Sequence, residues 1–498
     1  MELTDFSKPT RQSSKGILVI FALNSYKFIR NFFGLFLVYG LSISKNKSLA
    51  FLSTTHITLI ILSIFIVILV LAILKFRNFK FYLDTDEFHL STGIINKDTT
   101  IIPKSKIQNV YVKQNFIQQL INVVSLNIET AGDDKAEIEI NALDRETALD
   151  LKQQLFSKNH LVDLELDEKQ MQTTVFFKAS VKRLLLEGLS QSHIQSFLII
   201  VSFVFGLYSE FGKYVQDLNL EDRLESSVEF ETGNILNFIL ANLLIVALAI
   251  LISMLFSVIK TFVSNYNLEV IENEDTIEIN KGLFNKVSLT LTPAKIQNLV
   301  IKTNRLKRYL GLHTLSIKQA MVNKKQQKNF KIVALEKDQV SHLVQKFFKD
   351  YNDEGVYQKP DRYYKRLLMW RSIGIGALVN IPAFFVFGAY FWLINFISIT
   401  WIVLFVHYTY KKASYQITDT YLTITSGFID RLRNISELHK IQSVELKQSI
   451  FQKQKNIASV YIATASEQVK IPYIKEHDAR SIYDYLLFKI ESQDKNWM

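Results

Sequence analysis

Three stretches align without a gap over 27 residues: Lys106–Gly132, Lys295–Met321 and Lys440–Ser466. They open Lys106-Ile-Gln-Asn-Val110, Lys295-Ile-Gln-Asn-Leu299 and Lys440-Ile-Gln-Ser-Val444. Six positions are identical in all three: the opening Lys-Ile-Gln, then Lys113/Lys302/Lys447, Ile128/Ile317/Ile462 and Ala131/Ala320/Ala465. A glycine stands 13 residues before each opening lysine, at Gly93, Gly282 and Gly427. A spacing kept three times with its residue types marks an internal repeat, which must be found before any fold is assigned.

The repeat can be read physically. Val110/Val112, Leu299/Ile301 and Val444/Leu446 alternate at period two, so one face of a strand enters a core. The repeated glycine, flanked by short alternating segments, reads as a hairpin turn that needs positive φ. The seventeenth position is Asn122, Gly311 or Asn456, all tolerant of the left-handed region, and predicts a tight corner. Val124, Leu126 and Ile128 then alternate as the next strand. The glutamines Gln108, Gln297 and Gln442 read as satisfying backbone groups at a bend. Each unit closes on a helical pattern, at Ala142–Lys158, Leu335–Asp350 and His477–Glu491. In the first, Ala148, Leu151, Leu155 and Phe156 share one face.

Around these units the chain is apolar in long runs. It has 498 residues, 48% hydrophobic and 21% charged, with a mean hydropathy of +0.12. That balance suits membrane helices alternating with polar domains. Crossing a bilayer takes ~20 apolar residues. Ile57–Phe76, Ile194–Phe211 and Ile235–Ile259 fit, and the uncharged Ile373–Tyr410 divides into two spans at a turn near Pro382, Gly388 or Asn395. Ile17–Ile43 carries Lys27 and Arg30 and reads as an interfacial segment, Ile17–Arg30, followed by a short crossing, the alternative being one long tilted helix whose charges snorkel. The total is six spans in three hairpins. Met1–Ser14 is polar and is not followed by the core and cleavage site of a signal peptide.

Charge sets the orientation. Gly212–Asn234 holds six carboxylates against Lys213 and Arg223. Bases gather beside the polar units: Lys75, Arg77 and Lys80; Lys178, Lys182 and Arg183; Lys260; Arg362, Lys365, Arg366 and Arg371; Lys411 and Lys412. By the positive-inside rule those flanks, the three units and both termini are cytoplasmic.

A membrane hairpin followed by strands, a glycine turn, K-I-Q-N-V and a closing helix resembles the bacterial pleckstrin-homology-like (PH-like) domain membrane protein family, in its three-unit, YdbT-type form. The resemblance runs from about Ser14 to Glu491 and is weakest in the third unit, where Pro103 and Pro293 have no counterpart and Ser466 replaces Gly132. It implies a bent β-barrel of about seven strands capped by a helix. The expected organisation is an N-terminal segment and first hairpin at 1–76, PH-like domains at 77–160, 261–351 and 411–491, and further hairpins at 178–260 and 362–410.

Chemistry is mostly absent. There is no cysteine, which excludes disulfides and thiolate catalysis. No G-x-S-x-G, phosphate-binding glycine loop or H-E-x-x-H is present. Asp133-Asp134 and Asp84/Asp86 sit in expected turns without a base partner, and His160 and His313 are isolated. No cofactor, metal or nucleic acid is expected. The reading is a non-enzymatic, multi-pass protein of a bacterial inner membrane, serving scaffolding, lipid contact or envelope-stress protection. A six-span transporter or exporter component is the alternative. The candidate contacts to anionic headgroups, or to a partner, are the junction bases Lys75, Arg77, Lys80, Lys182, Arg183, Lys260, Lys365, Arg366, Lys411 and Lys412. The repeated lysines Lys106, Lys113, Lys295, Lys302, Lys440 and Lys447 join them, and read equally as solvated strand ends or as edge lysines that prevent sheet-to-sheet pairing. Such contact would be unspecific for the headgroup, and the resemblance suggests a smaller single-hairpin PH-like membrane protein as partner.

Overall fold

The computed structural model describes residues 4–45, 54–130, 137–156, 174–193, 196–200, 202, 235–273, 276–320, 330–353, 355–387 and 391–492. Ala131, Asp133-Asp134, His160, the connection Gly212–Asn234 and most of Ile194–Phe211 lie outside them. The chain forms two compact units, 1–176 with 269–290 and 177–268 with 291–498.

The first unit opens with helices α1 (Gly16–Lys45) and α2 (Thr54–Asn78). Strands β1 (Lys80–Leu83), β2 (Glu87–Thr92) and β3 (Asp98–Pro103) form an antiparallel meander. A 3₁₀ turn over Lys104–Lys106 carries the chain into β4 (Ile107–Gln114). The one-turn helix α3 (Phe116–Leu120), β5 (Val124–Thr130), β6 (Glu137–Leu143) and helix α4 (Arg145–Phe156) follow. Phe81, Phe88, Leu90 and Ile102 from the meander bury against Val110, Leu126, Ile128 and Ile140, and Ala148, Leu151 and Leu155 of α4 close the core. Burial of this many apolar side chains is the main term that holds the unit.

The repeat explains the next elements. After β7 (Thr174–Lys178), helix α5 (Val181–Leu189) and helix α6 (Ile235–Asn265), a second meander forms from β8 (Glu269–Glu272), β9 (Ile277–Lys281) and β10 (Lys286–Leu291). Its β10 pairs with β4, with Gln114 opposite Lys286, Lys113 opposite Val287 and Val112 opposite Ser288. The sheet order is β6-β5-β4-β10-β9-β8-β7.

In the second unit, β11 (Ile296–Thr303), one-turn helix α7 (Arg305–Tyr309), β12 (His313–Gln319), β13 (Lys331–Leu335) and helix α8 (Lys337–Phe347) repeat the pattern. Helices α9 (Arg362–Phe387) and α10 (Phe391–Lys412) precede a third meander, β14 (Ser414–Ile417), β15 (Tyr421–Ser426) and β16 (Arg431–Glu437). Here β16 pairs with β11, from Asn298 opposite Ser436 to Thr303 opposite Arg431. β17 (Ile441–Lys447), one-turn helix α11 (Ile450–Lys453), β18 (Ile457–Thr464), β19 (Gln468–Lys475) and helix α12 (Glu476–Ser492) complete the chain. Tyr415, Leu422, Val444, Val460, Ile462 and Leu486 share the core of this last repeat.

The backbone agrees with the repeat residue by residue. Gly93, Gly282 and Gly427 hold φ of 114°, 110° and 114°, and a Cβ there would fall 1.8–2.0 Å from the carbonyl oxygen three residues on. Asn122, Gly311 and Asn456 hold φ of 53°, 69° and 51°, the left-handed corner. Ile107, Ile296 and Ile441 are buried. The register of each strand pair slips at the following glutamine, a β-bulge at the expected bend. The glutamine side chains do not act alike, since Gln297 is buried and Gln442 exposed; the bulge, not a common side-chain bond, is what the three share.

Three expectations need correction. The sheets are open and no barrel closes. The edges that closure would consume are taken instead by strands of a neighbouring repeat, at β4/β10 and β11/β16. Of the six expected spans, the described residues show two as helices long and apolar enough to cross a membrane, Thr58–Asn78 in α2 and Ala247–Asn265 in α6, and most of the expected span Ile194–Phe211 lies outside those residues. Lys27 and Arg30 interrupt α1, and the bases up to Arg371 leave α9 an uncharged run spanning only roughly 24 Å. Finally, α1 is one continuous helix with no break at Arg30, and its start belongs to the domain: Val19 packs with Val123 and Ala142. In the last hairpin α9 is described to Phe387 and α10 from Phe391, so Pro382 and Asn395 lie inside helices, while Gly388 lies outside the described residues.

Candidate membrane-surface site

The second unit holds a cleft of about 700 Å³ where the ends of α9 and α10 meet the strands. Tyr364, Leu368 and Arg371 line it from α9, Thr409 and Ala413 from the end of α10 and just beyond it, and Lys302, Lys318, Lys331 and Lys470 from β11, β12, β13 and β19. Five bases face one carboxylate, Glu467. Lys302 is paired with Asp430 at 2.8 Å and Lys318 with Glu467 at 3.4 Å. Lys470 lies over the rings of Tyr461 and Tyr473, at 4.7 and 5.0 Å. Lys331 and Arg371 are exposed. A cleft with this excess of cations attracts oxyanions, which ammonium and guanidinium groups bind by charge-assisted hydrogen bonds. No cluster of potential metal ligands occurs among the described residues.

The cleft is held at the helix ends by fixed contacts. Tyr364 stacks on Tyr473 with centroids 5.3 Å apart, and the Asp361 N–H donates to the Tyr473 carbonyl at 2.7 Å. Tyr473 takes φ 49° to make this corner. Tyr410, near the end of α10, donates to the carbonyl of Pro360 at 3.2 Å.

A second tether joins α5 to the strands of the same unit. Gly188 lets α5 approach α6 closely, since a Cβ there would meet Cα of Val258 at 2.8 Å. The preceding residue, Glu187, pairs with Lys307 of α7, and the two side chains are 0% and 1% exposed. Lys307 also donates to Thr314 Oγ1 at 2.7 Å, and Thr314 donates to Glu187 Oε1 at 2.9 Å. Burial drives the Lys307 ammonium below the usual lysine range, and Glu187 opposes that shift. In the other repeats the Lys307 position holds Gln118 or Gln452, which bonds Ser125 at 2.6 Å or Ser459 at 3.0 Å. The second repeat has exchanged a neutral pair for a charged one and imported a carboxylate to balance it.

The bases singled out in the sequence divide by environment. Lys75, Arg77, Lys80, Lys106, Lys182, Lys260, Lys365, Arg366, Lys411 and Lys447 are exposed. Of these, Lys447 pairs with Glu445 at 2.6 Å and lies over the Tyr461 ring; among the rest, Lys113 lies over the Tyr111 ring, Arg183 pairs with Glu336, and Lys412 donates to the carbonyls of Phe428 and Ile429. Lys295 is half-buried. Lys440 is buried, donating to the Ile296 carbonyl at 2.6 Å and pairing with Glu437 at 2.6 Å. Of the candidate contacts only Lys302 lines the cleft, joined there by Arg371 from the bases that set the orientation. Lys318, Lys331 and Lys470 escaped sequence reading because a search for what repeats share cannot see what one junction alone carries; Lys318 stands where the other repeats have Glu129 and Ala463.

Helices fit to span a bilayer, leading into repeated strand-and-helix units with basic surfaces at the helix ends, define a membrane protein built from PH-like domains. The bacterial PH domain model matches residues 31–159, 227–349 and 376–489, and the chain belongs to that family. It is similar to the UPF0699 transmembrane protein YdbT of Bacillus subtilis (strain 168), 26% identical over 447 residues, covering 86% of this chain and 88% of that one. No solved structure matches it.

Proposed function

We propose that this chain is a non-enzymatic scaffold of the bacterial inner membrane that holds its PH-like units against the cytoplasmic leaflet and contacts anionic lipid headgroups. The observation that carries this reading is the basic cleft at the α9/α10 helix ends, five cations to one carboxylate, fixed there by the Tyr364–Tyr473 stack. The exposed bases Lys365, Arg366 and Lys411 add to the charge at this junction, and Lys75, Arg77, Lys80, Lys182 and Lys260 carry the same charge at the other helix junctions. A base near an anionic surface contributes ~1 kcal/mol, and the attraction fades over a Debye length of about 8 Å at physiological salt.

The test uses the full chain in nanodiscs of neutral lipid doped with one anionic lipid. Lys302→Gln with Arg371→Gln should lower the anionic lipid that co-purifies by several-fold, and added salt should do the same to the parent. Retention indifferent to both changes would refute the cleft as a headgroup site.

Orientation is checked separately. Reporters fused after Lys349 and Glu491 should read cytoplasmic and one near Leu224 external. Any of the three on the opposite side overturns the hairpin arrangement.

A further inference from the structure

Among the described residues, two strand edges whose counterparts are paired elsewhere in the molecule have no neighbouring strand. The meanders of the second and third repeats each give their last strand to the preceding repeat, β10 to β4 and β16 to β11. Among the described residues β3 is the outer strand of the first meander's sheet and β17 is the outer strand of its own. The other side of each meander is occupied: Thr10 bridges Phe81, β7 lies beside β8, and Gln358 bridges Tyr415.

We propose that copies of this chain join head to tail by pairing β17 of one with β3 of the next. The two internal joints share one register. The residue four after the turn glycine, Lys286 or Arg431, stands opposite Gln114 or Thr303, and the pairing continues from there. Carried to the open edges, that register sets Asp98 opposite Lys447 and Thr100 opposite Glu445. It thus places unlike charges directly across the strands at the first pair within both. The tips agree as well. At the β4/β10 joint, Phe116 of α3 packs on Phe284, two residues after the turn glycine, at 5.9 Å. Their counterparts at the open ends are Ile450 and Ile95, which are 77% and 93% exposed. At the β4/β10 joint this apolar pair is in ring contact with its members 54% and 49% exposed, whereas the apolar residues at the same positions of the open edges are more exposed; at the β11/β16 joint the positions hold Arg305 and Ile429. An open strand edge is a template for pairing, and these two are complementary to each other, not to themselves. The contact is therefore heterologous and propagates into a ring or an open row.

The absence of cysteine makes the test direct. Two differently tagged full-length chains are co-expressed, one Thr100→Cys and the other Glu445→Cys, and native membranes are oxidised mildly. Directly opposed residues have Cβ atoms ~5 Å apart, so the mixed disulfide should exceed tenfold that of a control pairing Thr100→Cys with Gln468→Cys on β19. Lys447→Glu should reduce it several-fold and Asp98→Lys on the partner should restore it. No mixed disulfide from variants that melt like the parent would overturn the proposal. Capture of a different protein by Glu445→Cys, with no second copy, would overturn it equally.

Discussion

Lys307→Gln is expected to destabilise the second unit by about 3–5 kcal/mol, because it leaves the Glu187 carboxylate buried without its counter-charge. Glu187→Gln should cost a similar amount by stranding the ammonium. The double variant, Lys307→Gln with Glu187→Gln, should regain most of the loss, since Gln118 and Gln452 already show that this site accepts a neutral amide beside a hydroxyl. Thermal unfolding of the solubilised full chain, run as a double-mutant cycle, measures this. Additive losses would show that the two groups are not coupled. Because α5 is also packed on α6 at Gly188, the singles should expose the segment around Ser180 to protease more than the double does.

Ile441→Ala carries the second large effect, about 2–5 kcal/mol, from lost burial and the cavity left behind. Ile441 packs in one cluster with Leu438, Val460, Ile462 and Leu486, so the loss should be confined to the last repeat. Protease digestion should release the 411–491 region first while the first unit stays intact. A variant as stable as the parent would mean that the K-I-Q register is wrong.

Much of this was legible from residue order. Gly93, Gly282 and Gly427 announced their turns because a Cβ cannot occupy that backbone. Asn122, Gly311 and Asn456 announced left-handed corners, and the capping residues Asn115, Asn304 and Ser449 sit at the starts of the one-turn helices between them. These are local constraints, satisfied within a few residues. The resemblance named the family correctly but carried a closed barrel with it, and the sheets are open.

What sequence alone determined was the unit: three copies, their strands, turns, bend and closing helix, and the apolar runs between them. Period-two alternation says which face of a strand is buried; it is silent about which strand lies alongside, since backbone groups on every edge are the same. Only the tertiary structure decided that β10 joins β4 and β16 joins β11, and so that β3 and β17 are left over. The same holds for charge. Lys440 and Lys106 occupy one position of the repeat, yet the first is buried on the Ile296 carbonyl and the second is exposed. Lys307 finds its counter-ion 120 residues away in Glu187. A side chain's partner is set by what the fold brings within a few ångströms, and that distance is not written in spacing along the chain.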